Sequence, residues 1–290
     1  MRDLPLPTMP LADLPILRRP RPEMPPRGPL PERAATGGSR RDMTPAISVS
    51  WADSEDEVRE AQRLRYQVFA VEMGARLCPP PGTPEGLDVD LFDKFCDHLL
   101  VRDTRDGDDG EVIGTYRVLT PSAARRVGGW YSDTEFDLTR LRPLRNQMAE
   151  LGRSCVHPDH RHGGVILALW AALGGFLTRR GLDTMIGCAS ITMRDGGHAA
   201  ASLWNRLRQS HLAPIEHQVQ PRLALPVDDL RGDLEAEAPA LIKGYLRCGA
   251  KVLGAPAWDP DFNTADLPMM MRLQDLPEKY RRHFLSAPDA

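Results

Sequence analysis

The sequence predicts an α+β fold in which helices cover a central mixed sheet, and three observations predict it. Strand-like and helix-like patterns alternate irregularly, in the order strand, helix, three strands, helix, strand, helix. The longest nearly unbroken apolar run, Gly164 to Leu177, suits a buried helix and falls short of the roughly twenty residues that span a bilayer. Neither a G-x-G-x-x-G nor a G-x-x-x-x-G-K-[ST] phosphate loop occurs, which argues against Rossmann and P-loop folds.

The 290 residues are unevenly composed. Eleven of the 27 prolines fall between Pro5 and Pro45, a stretch with eight Lys/Arg against five Asp/Glu and no periodicity of 2.0 or 3.6. Residues 1–45 are therefore expected to be a disordered Pro/Arg-rich N-terminal arm, and residues 46–290 the folded domain. Ile47 to Trp51 alternates like a half-buried strand. Asp53 or Ser54 then offers a helix cap, followed by Val58, Ala61, Leu64, Val68 and Val71 at three- and four-residue steps, with an end near Gly74. Pro79 to Pro84 is loop. Strands follow at His98–Asp103 and Val112–Thr120, joined by an Asp/Gly-rich turn at 106–110. A polar, Gly-interrupted crossing leads to a strand at Met148–Val156, a Pro/His/Gly loop, an apolar helix at 165–180, a strand at Thr184–Ile191 and a helix at Ala199–Arg208. The last third predicts a strand at Gln218–Leu225, a helix at Ala238–Cys248, strands at Lys251–Gly254 and Leu267–Leu273, and a helix at Glu278–Leu285.

Composition excludes several function classes. A net charge of −3 does not suit a protein that coats nucleic acid, because dense phosphate neutralisation needs a Lys/Arg surplus. Five cysteines without C-x-x-C spacing argue against a disulfide framework and a zinc site, and no metal is expected. No secretory signal is recognisable at the N-terminus, so a reducing cytoplasm is the expected location.

One junction carries chemistry. Met148 to Ile166 runs from a strand through Arg161, His162, Gly163 and Gly164 straight into an apolar helix. Helix starts present unpaired N–H groups and partial positive charge, and glycine lets backbone approach a ligand, so this is either a phosphate cradle or a turn that needs Gly for geometry.

The spacing Val156-x-Pro158-x-x-Arg161-x-x-Gly164 resembles the pantetheine-binding motif of the GNAT superfamily of N-acyltransferases, departing from it at Ile166. Arg65-Tyr-Gln-Val-Phe69, Asp90-x-x-Asp93-x-x-x-Asp97-His98, Gly114-Thr-Tyr-Arg-Val118 and Glu150-x-x-Arg153 are similar to the pattern of acyl-homoserine-lactone synthases and N-acyl amino acid synthases. Together with Lys243 to Lys251 and Pro256 to Phe262, the stretch from about 47 to 285 resembles the ornithine-lipid N-acyltransferases. The resemblance implies a GNAT-like fold. It also implies transfer of a 3-hydroxyacyl chain from the phosphopantetheine thioester of acyl carrier protein to the α-amine of L-ornithine, giving lyso-ornithine lipid, with no permanently bound cofactor. An acyl-homoserine-lactone synthase, another N-acyl amino acid synthase, or a non-catalytic carrier-binding module are the alternatives.

Attack of an amine on a thioester needs a neutral amine and a polarised carbonyl. Glu150 is the first choice to take the amine proton, set against a salt bridge with Arg153 or Arg117. Residues 150 and 153 point to opposite faces of a regular strand, so their pairing needs a bulge, which would also free a backbone N–H, that of Val156, for the thioester oxygen. Arg161, His162, Gly163 and Gly164 are the donor-binding candidates. For the acceptor, Asp93, Asp97 and His98 suit its ammonium and Arg117 its carboxylate, with Arg153 a further substrate-site candidate, or these groups pair with one another. Cys155 and Cys188 read as structural. Arg125, Arg126, Arg140, Arg142 and Arg145 could dock the acidic carrier protein, and the arm could touch the anionic inner membrane leaflet.

Overall fold

The computed structural model describes residues 47–105, 110–161 and 164–285, with side chains of a helix ending at 285 described to 282. The predicted arm and part of the predicted hairpin turn, residues 106–109, lie outside them. One eight-stranded sheet organises the domain: β1 (Ile47–Trp51), β2 (Asp97–Asp103), β3 (Val112–Leu119), β5 (Met148–Val156), β6 (Thr184–Thr192), β10 (Thr264–Arg272) and β8 (Lys251–Val252) lie side by side in that order, and β9 (Ala257–Asp259) adds to β10. All pairs are antiparallel except β5 with β6, so the sheet is mixed.

The first helix, α1 (Glu55–Tyr66), starts at Ser54, whose hydroxyl accepts the Glu57 N–H, and the chain continues through a π-helical stretch to Glu72. Helix α3 (Gly164–Arg179) packs Val165, Leu169, Leu173 and Leu177 on one face of the sheet. It can approach β3 closely because Gly114 has no side chain: a Cβ there would lie 2.5 Å from Val165 Cγ1. On the same face α4 (His198–Ser210) covers Ala189, Ile191 and Leu267, and α5 (Ala240–Arg247) follows. The opposite face is covered by α1 and its π-helical continuation, which pack Ala61, Leu64, Val68 and Phe69 on Leu100, Val112 and Cys155, and by α2 (Pro121–Val127) and irregular chain carrying Trp130, Phe136, Leu138 and Leu141.

Two expectations need correction. The crossing from 121 contains α2, opened by Thr120 and Pro121 and closed by left-handed Gly128. The predicted strand at 218–225 shrinks to β7 (Gln220–Pro221), paired with β4 (Phe136–Asp137) in a ribbon apart from the main sheet.

Candidate active site

Strands β5 and β6 pair only at Met148–Glu150 with Thr184–Ile186 and then part. Gly187 stands at the fork, where a Cβ would meet Leu151 O at 2.4 Å. On its other edge β5 is bulged: Thr115 faces Cys155 and Arg117 faces Gly152, so Arg153 and Ser154 together oppose Tyr116. Arg153 adopts φ 47°, a left-handed conformation uncommon for a residue with a side chain. A bulge is therefore present in β5 at this point. Past it, His157 N donates to Ile113 O, and alternation along the ladder turns the Val156 N–H away from β3, towards the fork.

A cavity of about 780 Å³ opens at this fork. Its wall is mainly apolar, including Phe69, Ile166, Trp170 and Met269, while Glu150, Arg153, Asp259 and Asp266 give it a polar side.

Glu150 is buried on the cavity wall. Its Oε2 accepts the Tyr131 N–H at 2.6 Å, and its Oε1 accepts the Ser132 N–H at 2.7 Å together with the Ser132 hydroxyl. Neither Arg153 nor Arg117 hydrogen-bonds it among the described residues. Burial pushes its carboxyl above the ordinary value, with the Ser132 and Tyr131 donors opposing the shift.

The arginines and aspartates form a separate network. Arg65, fully buried, donates from Nε to Asp88 at 2.8 Å and from a terminal nitrogen to Asp93 at 2.7 Å. Arg117 reaches Asp90 at 2.6 Å and Asp93 at 3.1 Å. Burial alone would raise the Asp93 carboxyl, but Arg65 and Arg117 overcome it and hold it at about 2. His98 points Nε2 at the Asp93 carbonyl at 2.9 Å, and burial chiefly lowers its pKa from the ordinary value. The reading of Asp93 and His98 as acceptor-binding groups is corrected: a buried guanidinium needs carboxylate partners, and neither residue lines the cavity. Asp97 is corrected too, since it faces Arg180 at 3.6 Å outside the cavity wall.

Arg117 and Arg153 do line the cavity. The Arg153 guanidinium is 3.3 Å from Asp88 and from Asp90 and lies over the Tyr131 and Phe262 rings at 5.0 and 4.8 Å. Arg161, also on the wall, is clamped by both Glu72 oxygens at 2.7 Å and donates to Val156 O. Gly164 opens α3. His162 and Gly163 lie outside the described residues. Cys155 and Cys188 are held as thiols: burial pushes Cys155 up to about 12 and Cys188 well above its usual value.

Sequence reading missed Glu135 and Asp266. With Asp259, which lies within the Pro256 to Phe262 stretch that carries the family resemblance, they bring carboxylate oxygens within 4.8 Å of one another. Their separation along the chain leaves no local signature.

A family model described as Acetyltransferase (GNAT) domain matches residues 64–171, the stretch from α1 into α3. An L-ornithine N(alpha)-acyltransferase of Rhodobacter capsulatus is 37% identical over 249 residues, covering 82% of this chain and 95% of that protein. The chain belongs to the L-ornithine N(alpha)-acyltransferase family. A Brucella abortus protein of the same name is 31% identical over 256 residues, covering 82% of this chain and 89% of the relative. A solved CoA-dependent acyl-homoserine lactone synthase, BjaI, with MTA, is similar at a TM-score of 0.49 and 16% identity, covering 84% of this chain and 92% of that one. Membership of the L-ornithine N(alpha)-acyltransferase family makes the protein an acyltransferase, and its mixed sheet flanked by helices is the expected GNAT fold. No described helix is long and apolar enough to cross a membrane.

Proposed function

We propose that the protein moves a long-chain 3-hydroxyacyl group from the phosphopantetheine thioester of acyl carrier protein to the α-amine of L-ornithine, giving lyso-ornithine lipid. The acceptor follows from relatives that carry L-ornithine N(alpha)-acyltransferase as their name. The observation that carries the long acyl chain is the 780 Å³ apolar cavity opening beside Val156 at the parted strands, a volume suited to such a chain rather than an acetyl group.

The pantetheine arm enters along the Val156–Gly164 loop, with Arg161 and the α3 N-terminus facing its phosphate. The Val156 N–H donates to the thioester oxygen as the carbonyl becomes tetrahedral. Glu150, through the lone pair of Oε2 left over by Tyr131, takes the ammonium proton directly or through one water, and its raised carboxyl value suits that task. The neutral amine then forms the C–N bond, the C–S bond breaks, and the second amine proton passes to the departing thiolate, which leaves as the pantetheine thiol. No acyl-enzyme is needed, in keeping with the two cysteines held as thiols. Arg153 and Arg117 supply positive charge for the acceptor carboxylate. The carrier protein would meet Arg125, Arg126 and Arg142, all exposed, whereas Arg145 is paired with Asp133 and Arg140 donates to Ile215 O. The reaction fits the cytoplasmic side of the inner membrane, with the arm available for peripheral contact.

Purified protein given 3-hydroxyacyl carrier protein and a panel of amino acids should yield N-acylornithine by mass. Acylation of other acceptors but not ornithine would overturn the acceptor assignment, and acetylation from acetyl-CoA alone would overturn the donor.

A further inference from the structure

The cavity wall holds a carboxylate group that the mechanism above does not use. Asp266, on β10, is 4% exposed and lines the main cavity, and its Oδ1 has no hydrogen-bond partner among the described residues. Glu135 likewise makes no hydrogen bond of good geometry through either carboxylate oxygen among the described residues, although Cys188 and Asp266 lie beside it. Asp259 spends Oδ1 on the N–H groups of Asp261 and Phe262, which leaves its other oxygen. These three residues bring oxygens within 4.8 Å of one another where the main cavity meets a second one of about 270 Å³. Arg222 lines the second cavity, but its Nε is donated to Asp133 O.

Buried carboxylates this close repel one another, and a cation among them would relieve the repulsion. Two of the carboxyls are raised accordingly: burial and the neighbouring Asp266 and Asp259 push Glu135 up to about 9, and burial raises Asp266 to about 6. Cys188, Leu223 and Trp258 form the adjoining walls, and these apolar groups suit a methylene stem better than a hydrated divalent ion, which asks for six or more oxygens.

We infer that Glu135, Asp259 and Asp266 form the subsite for the distal ammonium of a diamino-acid acceptor, with Asp266 as its buried anchor. Placement agrees. Glu150 is opposite Ile186 on β6 and Asp266 opposite Ser190, four residues or roughly 13 Å further along the strand. Both residues line the same cavity, and an extended diamino acid with a hydrogen bond at each end spans a separation of about that size. The inference rests on the acceptor being an amino acid that presents its α-amine at Glu150.

The test measures binding and turnover separately on the full chain. Calorimetric titration with ornithine and with norvaline, which keeps the carbon chain but lacks the distal amine, should show wild type preferring ornithine by about 30-fold or more. Asp266→Asn and Glu135→Gln should each bring that preference close to unity while the donor KM stays unchanged. Glu135→Gln, at the less buried position, decides if Asp266→Asn does not fold. Wild type binding both amino acids equally, or a preference that survives both variants, overturns the subsite. Heat from magnesium chloride that Asp266→Asn abolishes, with none from ornithine, overturns it in favour of a divalent ion. Ornithine preference through the cluster without acylation would overturn the proposed reaction and leave the subsite standing; acylation of ornithine with norvaline accepted equally would do the reverse.

Discussion

The Glu150 carboxylate accepts both the backbone N–H, at 2.7 Å, and the hydroxyl of Ser132, so one strand residue fixes the segment over the parted strands and faces the cavity at the same time. Glu150→Gln should therefore act in two ways. Turnover should fall about 100-fold or more through loss of the base. Stability should fall by about 1–3 kcal/mol, because an amide turned to keep both Ser132 donors sets its NH2 against the Tyr131 N–H. Ser132→Ala removes only one donor and should cost less than about tenfold in turnover. Equal losses in the two variants would make Glu150 a positioning residue.

The pH profile separates the roles further. A base must be deprotonated, and burial raises the Glu150 carboxyl. Activity should then fall as pH drops, on a limb lying above the ordinary carboxylate range, and the limb should vanish in Glu150→Gln. A limb unchanged in the variant would point to another base.

Asp93 predicts stability rather than activity. Asp93→Asn leaves Arg65 and Arg117 short of a buried counter-charge and should destabilise the domain by about 3–5 kcal/mol, read from chemical denaturation. The folded carboxyl is depressed from 3.8 to about 2. Its contribution is thus fully present above pH 3.8 and is lost as pH falls through about 2, which a Tm series in acid would follow. A variant with wild-type stability and a raised ornithine KM would restore Asp93 to the acceptor site.

Arg161 is held by Glu72, whose own carboxyl is lowered chiefly by that hydrogen bond. If Arg161 turns to the donor phosphate, Glu72 competes with it. Arg161→Ala should raise the KM for acyl carrier protein severalfold with kcat little changed, and Glu72→Gln should lower that KM. No change in either would remove Arg161 from donor binding.

Local signals were legible in the sequence and long-range ones were not. The strand-to-helix junction at Val156–Gly164 is contiguous, whereas the period of two called for a bulge near Arg153 only if Glu150 and Arg153 paired, and Glu150 turns to Tyr131 and Ser132 instead. The buried network joins Arg65 on α1 to Asp88 and Asp93 in the following loop and to Arg117 on β3, a closure that no periodicity encodes. Charge pattern alone left Asp93 equally able to bind substrate or a neighbouring arginine, and burial decided it. Glu135, Asp259 and Asp266 meet only because the irregular chain after α2 folds back over β9 and β10. Helix α2 did carry a local signal, Thr120-Pro121 before and Gly128 after, in a stretch whose polar composition suggested a loop.

The central claim is that chemistry occurs where β5 and β6 part. A crystal structure with a non-hydrolysable acyl-pantetheine analogue of acyl carrier protein tests it most directly. The account predicts the thioester-equivalent oxygen about 2.7–3.1 Å from the Val156 nitrogen, with the acyl chain in the apolar cavity and Glu150 on the acceptor side. A carbonyl group bound away from Val156, or an acyl chain lying outside the cavity, would contradict it.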